Sequence, residues 1–323
     1  MNKNNYSLKA QAGYLFSGRL AALILQFILP IILVRIFSKD DYGLYRQVML
    51  ISMFFVPSLR FGMANSLFFF YPNAKERVSQ LLSQTFYFSI SVGILFLPLF
   101  YLCRYPIAHF FKNDALIKLI YPCGLYIFFF LISFILEYIF ILEKKSKLVF
   151  SYVILDQTIR ISLILISLMI FRTVNAIIWA LVIFSAIRTF VLYTYLRMNY
   201  KVPIRNWDKH YFFSQITYAF PMGMGKIIGE VGRIFDKFIL SAFLSSSDFA
   251  VYSIANFRIP FINILYTSIG NVVLPQVSKC SEKNNFQEAK RLWHKMIVGY
   301  SLVTIPMIFF FNNGISSYYF PLY

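Results

Sequence analysis

Long apolar segments recur along the whole sequence, and they limit its fold more than any other feature. A helix needs around 20 mostly apolar residues to cross a hydrocarbon core about 30 Å thick. Nine runs meet that length and are joined by short connections: 11–34, 44–70, 81–103, 117–142, 149–171, 174–197, 212–243, 248–278 and 291–311. The sequence therefore predicts an all-α integral membrane protein with about nine transmembrane helices and no sizeable soluble domain.

The apolar runs favour helices over strands. They lack the alternation of polar and apolar residues that marks a strand, and several contain Pro or Gly, which transmembrane helices tolerate and central strands do not. Only 14 % of the residues are charged, against roughly 25 % in soluble domains. The first run is too long for a cleavable signal peptide and contains Arg19, so we expect it to be the first span.

Basic residues set the expected orientation of the spans. The net charge is +18, which in a soluble protein would suggest nucleic acid binding. Here 16 Lys and Arg residues of the connections fall on the side of the amino terminus and 7 on the opposite side. Because cytoplasmic loops carry the excess of Lys and Arg, we expect a cytoplasmic amino terminus. The basic loops can also contact anionic lipid headgroups, and no nucleic acid partner is expected.

Cysteine and histidine give no sign of a metal site. The three cysteines form no CxxC pair, and the three histidines are scattered in loops or at span edges. We therefore expect neither a metal nor another cofactor.

Two hairpins of similar sequence suggest an internal repeat. FSKDDYGLY at 37–45 and LSSSDFAVY at 244–252 align at an offset of 207 residues, and each is followed by a long span with a proline and an arginine. Six spans lie between them, so both copies point the same way through the membrane, as parallel repeats do. We expect two lobes, 1–210 with six helices and 211–323 with three. The second lobe would then be incomplete through truncation, unless the protein naturally has an odd number of spans.

The predicted seventh span carries charged residues that hydrocarbon does not accommodate. A charge at the bilayer centre costs about 2.5–3.5 kcal/mol, so it must face a partner, the interface or a polar interior. At 100° per residue, Lys226, Glu230, Arg233 and Lys237 fall within an arc of about 60°. A neighbouring face has small residues at helix-packing spacing, Gly225, Gly229 and Gly232. We expect this helix to line a wet cavity and to flex.

Other predicted spans also contain charges, and basic ones outnumber acidic ones. Arg19 and Arg60 are candidates for the same cavity, whereas Asp156 and Arg160, four residues apart, are expected to form an internal salt bridge. Glu137 lies near the surface and is expected to reach it or to pair with a basic neighbour. Because the acids are too few to neutralise the bases, the interior would attract an anion, and arginines match phosphate oxygens well.

Several segments resemble a known family of exporters. They are AGYLFSGRL at 12–20, the 37–45 hairpin, PSLRFGMANSLFFF at 57–70 and SSSDFAVYSIANFRIPF at 245–261. Together they resemble the bacterial polysaccharide exporters of the O-antigen flippase type, within the multidrug, oligosaccharidyl-lipid and polysaccharide exporter superfamily. The likeness extends over essentially the whole chain.

The resemblance implies a two-lobed helical transporter in the bacterial inner membrane, and not an enzyme. It would move an undecaprenyl-diphosphate-linked oligosaccharide between leaflets by alternating access, driven by a proton or sodium gradient and beside polysaccharide polymerase machinery. Arginines of spans one, two and eight line the cavity in lipid II relatives. Combined with the charged span, the expected substrate-binding residues are Arg19, Arg60, Lys226, Arg233 and Arg258, with Glu230 as the candidate for ion coupling.

Three other interpretations remain open at this stage. An ion-coupled exporter of small molecules or drugs has the same architecture but would carry cations. A polytopic enzyme acting on lipid-linked sugars could be expected to hold catalytic groups in a large outer loop, and the predicted outer loops are short and poor in acids. A scaffold of a cell-wall complex would not need so many charges within the membrane.

Overall fold

The computed structural model describes residues 28–143, 145–202, 207–256 and 286–318. All regular structure in these ranges is helical, and two short 3-10 turns at 71–77 connect the third helix to the fourth. The helices are α1 (28–36), α2 (Lys39–Leu59), α3 (Met63–Phe70), α4 (Val78–Leu102), α5 (Arg104–Phe110), α6 (Ala115–Ser133), α7 (Ile135–Leu142), α8 (Ser146–Phe171), α9 (Val174–Tyr200), α10 (Lys209–Phe243), α11 (Ser246–Ala255) and α12 (Phe286–Tyr318).

The helices confirm the prediction of an all-α membrane protein. Four segments are long and apolar enough to cross a membrane, namely α4, the α6–α7 pair taken together, α8 and α9. The bent α2–α3 pair makes a fifth if it counts as one span. The predicted span at 212–243 is the continuous helix α10. Most of the predicted first and eighth spans lies outside the described residues, so the total of nine stays a prediction.

Two clusters of buried apolar side chains form the core of the helix bundle. The first cluster joins α2 to α6 and the start of α9, around Ile51 and Ile127. The second joins α3 to α4 and α7, around Leu67 and Ile135. The boundary between them falls where α2 gives way to α3 and where α6 gives way to α7. These two breaks therefore lie in the middle of the bundle, between its apolar layers.

Both hairpins of the predicted repeat begin their helices with the same cap. The Ser38 hydroxyl accepts from the Asp41 amide at 3.1 Å and donates to the Asp41 carboxylate at 2.7 Å. Ser245 and Asp248 repeat both bonds at 3.1 and 2.7 Å. Such caps occupy amide groups that a helix start leaves without a partner. The two hairpins thus share local structure as well as sequence.

The two capped helices, α2 and α11, pack against each other. A β-carbon at Gly43 would lie 1.9 Å from the backbone oxygen of Ser246, so only glycine permits this approach. Asn113 joins the same contact, since its amide donates to the Gln47 side chain at 2.7 Å and to the Ser246 hydroxyl at 2.8 Å. The contact holds the beginning of α11 firmly on α2.

The chain divides into two compact units, Met1–Asn256 and Phe257–Tyr323. Helix α10 belongs to the first unit, where the buried Gln215 donates to Ser66 at 3.0 Å and to Thr85 at 2.9 Å. Helix α12 in the second unit is 33 residues long with Pro306 inside it. The predicted lobe boundary between residues 210 and 211 concerns the order of repeated spans, and it stays a prediction.

Candidate functional site

The predicted second span is broken at Arg60. Helices α2 and α3 meet there at a bend of 40°, and the next two residues have positive φ, 44° at Phe61 and 73° at Gly62. Residues in the left-handed backbone conformation cannot continue a right-handed helix. Pro57, inside the last turn of α2, removes a further amide donor from this end of the helix. The break places Arg60 between the two apolar layers of the bundle.

Glycines allow the break to touch α10. A β-carbon at Gly62 would lie 2.1 Å from the backbone oxygen of Ala219, and one at Gly223 would lie 2.5 Å from the carbonyl carbon of Phe61. The helix approach expected of α10 therefore occurs at Gly223. Among the described residues, no atom comes within 4 Å of a β-carbon built at the three glycines that the spacing had favoured, Gly225, Gly229 and Gly232.

Among the described residues, the guanidinium of Arg60 packs on aromatic rings and has no acidic partner. Its central carbon is 4.7 Å from the ring centre of Phe134 and 5.9 Å from that of Phe130. Within the described part of the chain, its Nε is buried without a hydrogen-bond partner, and no ion pair includes it. Aromatic faces offset only part of the cost of burying a cation. Arg60 therefore retains hydrogen-bonding capacity for an anion.

Arg60 lines a cavity of about 550 Å³. We call it the arginine cavity, after the charged residues in its wall: Arg60, Glu137, Asp156, Arg160 and Arg188. They come from the α2–α3 break, α7, α8 and α9, so the cavity lies within the first six predicted spans. Its volume falls within the range of about 300–1,000 Å³ that is typical of small-molecule sites.

One carboxylate of the arginine cavity is already paired. Asp156 contacts Arg188 across helices, with 3.2 Å between Nε and Oδ1 and 3.5 Å between Nη1 and Oδ2. The expectation that Asp156 pairs with Arg160 is wrong, because Arg160 donates instead to the Gln157 side chain at 2.6 Å. Residues four apart on a helix can meet, but α9 brings Arg188 to Asp156 with two contacts rather than one.

The charges of the cavity do not cancel. Three arginines face two carboxylates, Asp156 and Glu137. Glu137 is within electrostatic range of Arg60 and Arg188, yet it makes no ion pair to either among the described residues. Partly buried charges are screened less than exposed ones, so this surplus positive charge attracts anions. The cavity is therefore suited to an anion with several acceptor oxygens.

The predicted charged face of α10 lies beside the break but is not part of the cavity wall. Lys226 is exposed, and its ammonium donates to the Asn65 side chain on α3 at 2.8 Å. It is within electrostatic range of Arg60. Further along α10, Arg233 and Glu230 form an ion pair with each other. The structure thus brings Arg60 and Lys226 to the same break, and it gives Glu230 the partner Arg233.

Two predicted site residues cannot be placed. Arg19 and Arg258 lie outside the described residues. Conversely, Arg160 and Arg188 belong to the cavity, although they were not among the predicted site residues. Their depth in the fifth and sixth spans, similar to that of Glu137, was the signal that could have identified them. Within the described ranges, no group of three or more His, Cys, Asp and Glu residues could hold a metal ion.

Comparisons with known proteins bear on both the family and the fold. A family described as polysaccharide biosynthesis protein matches residues 32–313. No curated protein matches the chain. Among solved structures, the MATE multidrug transporter DinF-BH, solved as a complex, is similar, with 13 % sequence identity and a TM-score of 0.58. The match covers 98 % of this chain and 80 % of that one. At this identity the likeness shows the fold, which is that of an all-α membrane transporter.

Proposed function

This chain belongs to the family of polysaccharide biosynthesis proteins, and from that premise we propose that it moves a polyprenyl-diphosphate-linked oligosaccharide across the bacterial inner membrane. Its multi-pass helices and transporter fold suit translocation better than catalysis. We propose the orientation expected from the basic loops, with the amino terminus in the cytoplasm. Polysaccharide polymerase machinery would receive the translocated product.

The buried Nε of Arg60, which has no hydrogen-bond partner in the described part of the chain, is the observation that supports this proposal most. Arginine presents a planar fork of donors that matches phosphate oxygens, and a diphosphate can accept from more than one such fork. Arg60 and Arg160 each have a buried Nε without a hydrogen-bond partner in the described chain. We propose that both contact the diphosphate, while Asp156 keeps Arg188 oriented until the substrate arrives.

Polar and apolar sites adjoin at the break, as an amphiphilic substrate requires. Phe61, next to Arg60, lines a separate cavity of about 210 Å³ whose wall is apolar, with Phe88 on α4 and Phe220 on α10. A diphosphate at Arg60 would leave the first isoprene units near this apolar cavity. The rest of the polyprenyl chain would remain in the lipid. Its hydrocarbon is shielded from water both in the apolar cavity and in the bilayer, which is favourable.

The other predicted site residues would contact the substrate less directly or at other stages of transport. Lys226 can approach the diphosphate if it leaves Asn65, and Arg233, Arg19 and Arg258 would meet the substrate at other stages of transport. Glu230 stays our candidate for coupling to a proton or sodium gradient. Its exchange for Gln would abolish the dependence of transport on the gradient, and unchanged dependence would remove this assignment.

A second candidate function is the export of small organic cations. The similar solved structure is that of a multidrug transporter, and the arginine cavity has aromatic walls and two carboxylates that could hold a cation. The surplus of arginine in the cavity argues for the anionic substrate. An enzyme acting on lipid-linked sugars would need a catalytic acid, base or nucleophile beside the substrate, and we propose no residue for such a role.

Leaflet exchange in vesicles tests the proposal. Purified protein would be reconstituted with a fluorescent polyprenyl-diphosphate sugar, and the fraction of dye protected from an external quencher would be followed over time. We expect exchange with the wild type and strong loss in Arg60→Ala. Arg35→Ala, an exposed arginine at the end of α1, serves as the control of equal charge change. Transport of a cationic dye without the sugar lipid would favour the second candidate.

A further inference from the structure

A larger cavity lies on the surface formed by α4, α5 and α6. It has a volume of about 790 Å³ and is lined mainly by apolar and aromatic side chains. We call it the α4–α6 groove, defined by Leu97, Tyr101, Arg104, Lys118 and Tyr121. Neighbouring leucines on α4 are exposed, Leu95 at 67 %, Leu99 at 62 % and Leu102 at 71 %. In a membrane protein such a surface faces lipid.

The groove runs from the membrane interface into the hydrocarbon. It covers the last turns of α4 and the first turns of α6, two spans that meet the same membrane face there. Tyr121 lies 6.3 Å from Tyr101 and 6.3 Å from Trp179 between ring centres. Tyr and Trp gather at the level of lipid headgroups. One end of the groove is therefore at headgroup depth, while its apolar floor extends among the acyl chains.

Two cations stand at the headgroup end of the groove. The guanidinium of Arg104 is held over two rings, 4.2 Å from that of Tyr101 and 4.6 Å from that of Tyr105. Lys118, in the first turn of α6, is exposed and belongs to the same lining. No carboxylate lines the groove, and neither cation forms an ion pair among the described residues. The rings fix the position of Arg104, and one terminal nitrogen of its guanidinium also donates to the Tyr105 hydroxyl at 3.5 Å. The other donors of the guanidinium can bind a ligand.

We propose that the α4–α6 groove binds an anionic phospholipid, with its phosphate between Arg104 and Lys118 and an acyl chain along the apolar floor. A free phosphate would leave the apolar floor uncovered, and a lipid without net charge would leave the two cations uncompensated. A soluble protein would not reach hydrocarbon depth. This site is separate from the arginine cavity and does not depend on the transported substrate.

Lipid binding by the full chain tests this site. Delipidated protein in detergent would be titrated with phosphatidylglycerol and, separately, phosphatidylcholine of identical chains, and bound lipid would be counted by native mass spectrometry. We expect preferential binding of phosphatidylglycerol. In Arg104→Gln/Lys118→Gln we expect that preference to fall by about 30-fold, because each basic residue near an anionic headgroup contributes about fivefold.

Matched variants separate the groove from general charge effects. Arg35→Gln/Arg172→Gln removes two exposed arginines at the same membrane face but outside the groove, and it should keep the wild-type preference. Lys118→Gln alone, at an exposed position, should lose about fivefold and guards against misfolding of the double variant. Equal binding of the two lipids, an equal loss in the control, or displacement by millimolar inorganic phosphate would overturn the proposal.

Discussion

The contact between the α2–α3 break and α10 can be tested by adding a single methyl group. In Gly223→Ala the new β-carbon would lie 2.5 Å from the carbonyl carbon of Phe61 and 2.8 Å from the amide nitrogen of Gly62. Both neighbours are backbone atoms, so the helices must move apart. Overpacking of this kind costs about 1–3 kcal/mol, and alanine returns about 0.5–1 kcal/mol through its helix propensity. We expect a net loss of about 1–2 kcal/mol.

The matched control lies two residues along the same helix. In the described part of the chain, no atom of another helix would lie within 4 Å of a β-carbon added at Gly225. Gly225→Ala should therefore gain up to about 1 kcal/mol of stability from helix propensity alone. Thermal unfolding in detergent, read by size-exclusion chromatography, should show Gly223→Ala about 1.5–3 °C below the wild type and Gly225→Ala at or above it. Equal melting temperatures for the two variants would refute the proposed close contact.

Two further predictions concern single side-chain interactions. Asp156→Ala leaves Arg188 without its acid and should cost about 3–5 kcal/mol, whereas Asp156→Ala/Arg188→Leu should recover most of that loss in the same unfolding assay; no recovery would mean that the pair is not coupled. Ser38→Ala and Ser245→Ala should each lower the free energy of unfolding by about 1 kcal/mol. The two losses should be similar, because the two caps have the same geometry. A clear effect at one cap only would contradict the structural equivalence of the hairpins.

Hydropathy was sufficient to predict several of the described spans, because a span must satisfy its own backbone hydrogen bonds in lipid. It gave α4, α8 and α9 to within a few residues at each end. It did not give the break at Arg60, because Phe61 and Gly62 lie in an apolar run that looks continuous. At the break, Gly62 lies directly against the backbone of Gly223, a residue far away in the sequence. Such a contact depends on tertiary packing.

The sequence predicted only part of the candidate site, because contacts between helices cannot be inferred from one helix alone. Arg60 was identified from its charge and depth, and the structure places it at a cavity. The pairing of Asp156 was predicted wrongly, because spacing along one helix describes only local partners and Arg188 reaches it from another helix. The role of Gly223 was missed because small-residue spacing marks a face that can pack closely, without showing which glycine the neighbour meets.

Binding of a short, water-soluble prenyl diphosphate tests the central claim most directly. Farnesyl diphosphate would be titrated calorimetrically into the wild type, Arg60→Ala and the control Arg35→Ala. A charged hydrogen bond contributes about 1.5–3 kcal/mol, so Arg60→Ala should bind about 10- to 150-fold more weakly while the control binds as the wild type does. Undiminished binding by Arg60→Ala would contradict the claim that this arginine holds the diphosphate.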